Sequence, residues 1–190
     1  KILAQYGIKL DKYFFDESDR QSFISTAELI LKKGYDGILL APSFVVESAA
    51  FTESLDQLNI PYVFINSDIP DKQSLSYIGP DLFQSGYLAA HLISFLVRVK
   101  DEILLLNISR DRINHHVLRK EEGFRKYLED HGIANPITKF DIHQTEYESV
   151  KSKLQTCDFT KYKVIFVTNS RVSSVARYLE EIDQADIIVI

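Results

Sequence analysis

Four internal runs of consecutive apolar residues, separated by segments of helical period, constrain this chain more than any other feature. They are Gly37 to Ala41, Tyr62 to Ile65, Ile103 to Leu106 and Val164 to Val167. A strand with one wet face alternates apolar and polar residues. A run with no polar face predicts a strand covered on both sides. Between the runs lie amphipathic helical patterns. Phe23, Ala27, Ile30 and Leu31 carry one, closed by Gly34, with Ser18 and Gln21 spaced as a capping box. Ala50, Phe51, Leu55 and Leu58 carry the next. Leu82 to about Val99 is densely apolar and predicts one long, well-buried helix. Val117, Phe124 and Leu128 mark a fourth, ended by His131-Gly132. Tyr147, Val150 and Leu154 mark a fifth, behind a capping box at Thr145 and Glu148. Val172, Val175, Ala176, Leu179 and Ile182 mark the last. Lys12 to Phe15, Leu75 to Ile78, Ile137 to Ile142 and the terminal Ile187 to Ile190 read as further strands.

Strands alternating with helices predict an α/β fold of parallel sheets flanked by helices, with right-handed crossovers. The pattern breaks near Lys100-Asp101 and restarts. That predicts two Rossmann-like lobes, residues 1–99 and 100–190. Lys1 to Gln5 with the stop at Tyr6-Gly7 reads as the tail of an element, and the final apolar run ends abruptly. Both ends of a larger domain are therefore expected to lie outside this sequence.

Composition narrows the function. With 190 residues and a net charge of −5, the chain is a poor candidate for gripping nucleic acid by itself, which takes concentrated Lys and Arg. No apolar run approaches the roughly 20 residues that span a bilayer. Seven scattered Gly form no phosphate-cradling motif, and neither GxGxxG nor GxxxxGK[ST] occurs, so no cofactor is expected. GxSxG is absent, and Cys157, the only cysteine, has no activating neighbour in sequence. His115 and His116 are adjacent and point about 100° apart on a helix, a poor chelate. Asn107-Ile108-Ser109 fits a glycosylation sequon, but at a strand end it reads as coincidence. The chain is expected not to be an enzyme and to hold no metal.

Ligands of open α/β sheets sit beyond the carboxyl ends of the strands. Those ends carry Ser43 after Pro42, Asn66-Ser67-Asp68, and Asn169-Ser170. Amides and hydroxyls both donate and accept, which suits a neutral polyhydroxy ligand. Each residue taken singly also fits a helix or turn cap. Arg110, Arg112, Arg119, Lys120, Arg125 and Lys126 form a basic stretch offset by Glu121 and Glu122. Its plain reading is a solvated face. Its alternative places Arg119 or Lys120 against ligand oxygens.

Five segments, in order, resemble type I periplasmic sugar-binding proteins and LacI-type transcriptional regulators. These are Gly34-Tyr35-Asp36-Gly37-Ile38-Leu39-Leu40-Ala41-Pro42; Asn59-Ile60-Pro61-Tyr62-Val63-Phe64-Ile65-Asn66; Ile78-Gly79-Pro80-Asp81 with Gly86 to Ile93; Lys120-Glu121-Glu122-Gly123-Phe124; and Phe166-Val167-Thr168-Asn169-Ser170. The resemblance implies a type I periplasmic-binding-protein-like fold, truncated at both ends, whose lobes close on a small ligand held in the cleft between them. It implies ligand contacts from Ser43, Asn66, Asp68, Asp81, Arg119, Lys120, Asn169 and Ser170. Asn66 stands where many members carry Asp, Lys120 where Arg is usual, and Ser170 in place of Asp. Asp81 caps the following helix or touches ligand. The implied function is the effector-binding domain of a LacI-type regulator: a cytoplasmic homodimer that senses a carbohydrate and controls operator DNA through an upstream helix-turn-helix, with no membrane partner. The alternative is a periplasmic sugar receptor of a transporter or sensor.

Overall fold

The computed structural model describes residues 3–16, 19–110, 115–184 and 186–190. Helices, strands and turns alternate through the described residues. A short 3-10 turn at Leu3–Tyr6 is followed by α1 (Arg20–Lys33), β1 (Ile38–Leu40), α2 (Val45–Gln57), β2 (Tyr62–Ile65) and β3 (Ser76–Ile78). Then come α3 (Leu82–Ser94), β4 (Glu102–Ile108), α4 (His115–Asp130), β5 (Ile137–Ile142), α5 (Tyr147–Leu154), β6 (Tyr162–Val167), α6 (Val172–Glu181) and β7 (Ile188–Val189). The chain forms two compact units, Lys1–Pro80 and Asp81–Ile190. Every strand pairing is parallel, in the orders β1-β2-β3 and β5-β4-β6-β7. This is the α/β architecture with helix-flanked parallel sheets expected above.

In the second unit the strands send alternate residues to opposite faces, as period 2 requires. Ile103, Leu105, Val164 and Phe166 pack with α3 and α4, and Phe124 stacks on Phe166 at 5.0 Å between ring centroids. Leu104, Leu106, Ile165 and Val167 pack with α5 and α6 on the other face. Both faces are covered, which is why these runs carry no polar position. In the first unit Leu40, Tyr62 and Phe64 form the core with Phe23 of α1 and Phe51 of α2. On the other side Leu39 and Ile78 remain 59% and 64% exposed.

The division at Pro80/Asp81 precedes the join expected near residue 100, and α3 is the reason. A Cβ on Gly86 would collide with the Lys120 carbonyl, and one on Gly123 with the Phe83 carbonyl. Helices α3 and α4 thus touch backbone to backbone through reciprocal glycines, which binds α3 to the second unit. Helix α3 is also shorter and wetter than its composition suggests. It stops at Ser94, whose hydroxyl bonds back to the His91 carbonyl at 2.6 Å, while Leu96 N–H tightens onto the Ile93 carbonyl at 2.8 Å. Leu88, Leu92, Phe95 and Val99 stay exposed.

Three local expectations differ from the structure. Lys12 to Phe15 forms no strand. This segment and Ile38 to Ala41 both line an apolar cavity of about 360 Å³. Side chains hold the segment instead: Phe15 meets Phe23 edge-to-face at 5.0 Å, and Tyr13 bonds Tyr35 at 2.5 Å, hydroxyl to hydroxyl. Helix α1 is capped by Asp19, whose carboxylate accepts from the Gln21 N–H at 2.9 Å; Ser18 lies outside the described residues. The Thr145–Glu148 capping box does not form. Glu146 is the N-cap without a side-chain bond, and the Thr145 hydroxyl is taken by Arg110 Nε at 3.0 Å.

The helix crossing yields a direct test. Gly86→Ala and Gly123→Ala should each lose about 1–3 kcal/mol or more in urea unfolding, because backbone must move to admit a methyl group. Ser85→Ala, on the exposed side of the same helix, should stay within about 0.5 kcal/mol. Equal effects at Ser85 and Gly86 would contradict the crossing.

Candidate functional site: the carboxyl ends of the strands

In the first unit the ends of β1 and β2 are tied together. The buried Ser67 hydroxyl donates to the Pro42 carbonyl at 3.0 Å. The bond sets the half-buried Ser43 beside the turn that carries Asn66 and half-buried Asp68. Asn66 has φ +65°, a left-handed conformation that Asn tolerates better than most residues. Its N–H continues the ladder to the Ile78 carbonyl at 2.9 Å, and its carbonyl accepts from the Tyr77 hydroxyl at 3.1 Å. With its backbone held on both sides, the Asn66 side chain is exposed beyond the sheet.

In the second unit Asn169 and Ser170 follow β6. The Asn169 amide donates to the Ile108 carbonyl, and its Oδ1 accepts from the Arg171 N–H at 3.1 Å. Asn169 therefore crosslinks the end of β4 and caps the turn into α6, leaving one amide hydrogen for another acceptor. Ser170 is exposed. Asp81 caps α3: its carboxylate accepts from the Gln84 N–H at 3.0 Å.

The two basic candidates differ. Arg119 pairs with Glu122, and its guanidinium lies 5.3 Å from the Phe83 ring centroid, so it is occupied within the helix pair. Lys120 is half-buried and has no ion pair among the described residues. Burial pushes its ammonium pKa below the ordinary value of 10.5. The next residue, Glu121, is gripped by Lys139 at 2.7 Å and Arg125 at 2.9 Å. Burial raises its pKa, but these cations outweigh that and hold the carboxyl below its usual range. Arg112 lies outside the described residues.

Two further polar groups at these ends, Asn107 and Thr168, join the buried Ser67 in a structural role. Asn107 and Thr168 are 4% and 1% exposed. The Thr168 hydroxyl donates to Asn107 Oδ1 at 2.7 Å, and Asn107 Nδ2 donates to Asp141 at 2.6 Å. Burial of Asn107 removes it as a glycan acceptor. Its signal in the sequence is a single amide interrupting the run Ile103 to Ile108.

Parallel sheets with amide- and hydroxyl-bearing turns at their carboxyl ends define a ligand-binding α/β protein. The chain belongs to the periplasmic binding protein domain family, whose model matches residues 1–190. Among solved structures, it is similar to a protein assigned as a LacI transcriptional regulator from Bacteroides fragilis. The identity is 25% and the TM-score 0.81, covering 98% of this chain and 67% of that one. It is also similar in fold to GanP, a glucose-galactose binding protein from Geobacillus stearothermophilus, at 15% identity and TM-score 0.79, covering 98% and 67%. A third is an ABC transporter solute binding protein from Agrobacterium vitis bound with alpha-D-tagatopyranose, at 18% identity and TM-score 0.76, covering 98% and 66%. The chain thus spans about two thirds of these proteins. No curated protein sequence matches it. No helix of the described residues is long and apolar enough to cross a membrane.

Lys120 gives a pH test. A depressed folded pKa means the unfolded chain binds more protons above that pKa, so stability rises there with pH. Charged Lys120 thus opposes folding at neutral pH. Lys120→Met should raise the melting temperature of the ligand-free protein at pH 7, by a margin that shrinks as pH approaches 10.5. A lowered melting temperature at pH 7 would show that the ammonium has a stabilising partner.

Proposed function

We propose that this chain is the carbohydrate-binding part of a LacI-type transcriptional regulator, with no catalytic step of its own. The observation that carries the reading is the chemistry of the strand ends: Ser43, Asn66, Asn169 and Ser170 are uncharged groups able to donate and accept, in both units. Such groups match sugar hydroxyls, where a phosphate would call for concentrated positive charge. Asp68 adds one carboxylate acceptor. Lys120 adds one desolvated donor, whose burial a ligand oxygen would offset. Asp81 and Arg119 act at one remove, by capping α3 and bracing α4. The likeness to the Bacteroides fragilis protein supports the regulator reading. In it, the sugar favours one of two conformations of a cytoplasmic homodimer and so alters operator binding through a separate DNA-binding segment. Only unequal affinity for the two conformations can do this.

A receptor that delivers sugar to a transporter or sensor is the second reading. The glucose-galactose binding protein and the tagatose-bound transporter protein favour it. A mobility-shift assay of the full-length protein on its own promoter DNA, with and without sugar, separates the two. Sugar-dependent DNA binding supports the regulator, and export to the periplasm supports the receptor.

Binding itself is tested by thermal shift of the full-length protein against mono- and disaccharides, including D-glucose, D-galactose and D-tagatose. A ligand at 100 times its Kd adds about 2.7 kcal/mol to folding stability and raises the melting temperature. Asn66→Ala and Asn169→Ala should each weaken the best sugar by about 1–3 kcal/mol, roughly 5- to 150-fold by titration calorimetry. Unchanged affinity in both variants would sink the assignment.

A further inference from the structure

We propose that Asn107 is a positioning residue for the ligand end of the second unit. In this role it locks the carboxyl ends of β5, β4 and β6 in register through a side-chain ladder, Asp141–Asn107–Thr168. The inference rests on the reading of these strand ends as a sugar site. Asn107 is buried in the central strand, where an apolar side chain would satisfy packing alone. An amide there is tolerated only if its groups are bonded. They are, and to both neighbouring strands: Nδ2 donates to Asp141 of β5 at 2.6 Å, and Oδ1 accepts from Thr168, directly after β6, at 2.7 Å. The register places Asn107 opposite Asp141. The last backbone bonds of the same strands close beside them, Ser109 N–H to the Ile142 carbonyl at 2.9 Å and Thr168 N–H to the Leu106 carbonyl at 3.2 Å. The next residue after Thr168 is Asn169, whose amide bonds the Ile108 carbonyl, next to Asn107. The ladder therefore fixes the platform from which Asn169 and Ser170 project. Asp141 Oδ2 lies 4.0 Å from Lys139 Nζ, whose shorter bond goes to Glu121, so Asn107 is the close partner of that carboxylate.

The polarity of the ladder can be reversed. Asn107→Asp faces one carboxylate with another. Adding Asp141→Asn restores a donor from β5, while the Thr168 hydroxyl still donates to Asp at 107. In the full-length protein, Asn107→Asp should speed hydrogen exchange at the Ser109 and Thr168 amides at least tenfold, leaving Leu105 and Ile165 unchanged. It should weaken the sugar giving the largest shift in the panel above at least tenfold. The double variant should bring exchange and affinity back to within threefold of the unaltered protein. If Asn107→Asp fails to fold, Thr168→Val, which removes one donor, carries the same expectation in both readouts. Unchanged exchange at Ser109 and Thr168 overturns the proposal. So does a double variant that regains slow exchange without regaining affinity. Absence of any sugar binding by the unaltered protein is a separate result, which overturns the sugar reading and the ladder's part in it.

Discussion

The second unit depends on the contact between two helix backbones at Gly86 and Gly123. Either glycine given a side chain would drive a methyl group into the facing main chain. Because the helices approach this closely, Ala89, Ala90 and Phe124 reach the sheet together and cover one face of β4 and β6. The same crossing sets α4 along the sheet, and with it the position of Lys120. It also assigns α3 to the unit that follows it in sequence, although α3 reads as a continuation of the unit before.

Beyond that crossing, the architecture follows from where polar groups are allowed. A parallel sheet covered on both faces leaves no room for unbonded polar side chains in its strands, and after Glu102 at the start of β4 and Tyr162-Lys163 at the start of β6 both strands are apolar until their carboxyl ends. There the chain changes character within one or two residues. Asn107 and Thr168 are buried but bonded to each other, and Asn169 and Ser170 follow immediately. In the first unit the change falls at Pro42-Ser43 and at Asn66-Ser67-Asp68, with Ser67 as the buried tie. In the second unit the buried, bonded Thr168 thus lies one residue before Asn169. Low net charge at these ends suits hydroxyl recognition, where bonds that both donate and accept decide selectivity.

Burial on both faces is legible for the second unit's strands but not everywhere: the run Gly37 to Ala41 has the same composition, yet Leu39 stays 59% exposed. The runs at Ile103 to Leu106 and Val164 to Val167 are strands because both faces are covered, and the structure places them so. Gly86 and Gly123 fall within segments that resemble the family, and their close approach gives those segments a physical reason. Features set by competition between local and tertiary bonds were not legible. The end of α3 depends on a serine bonding back into its own helix. The Thr145–Glu148 spacing suits a capping box, but Arg110 from a distant loop takes the threonine. Lys12 to Phe15 has strand composition but lines an apolar cavity and is held by its side chains, Phe15 on Phe23 and Tyr13 on Tyr35. Among candidate site residues, Asp81 and Arg119 both have structural partners: Asp81 caps α3, and Arg119 pairs with Glu122 and lies over the Phe83 ring.

The strand ends, proposed above to receive the ligand, have one rival in the apolar cavity lined by Leu10 to Phe15 and Ile38 to Ala41. Amide chemical-shift mapping of the full-length protein during titration with the best sugar of the panel separates the two most directly. Saturable shifts are expected to centre on Ser43, Asn66 to Asp68, Lys120 and Asn169-Ser170, with the cavity lining little changed. Shifts centred on Tyr13, Phe15, Tyr35 and Ile38, with the strand ends silent, would contradict that proposal.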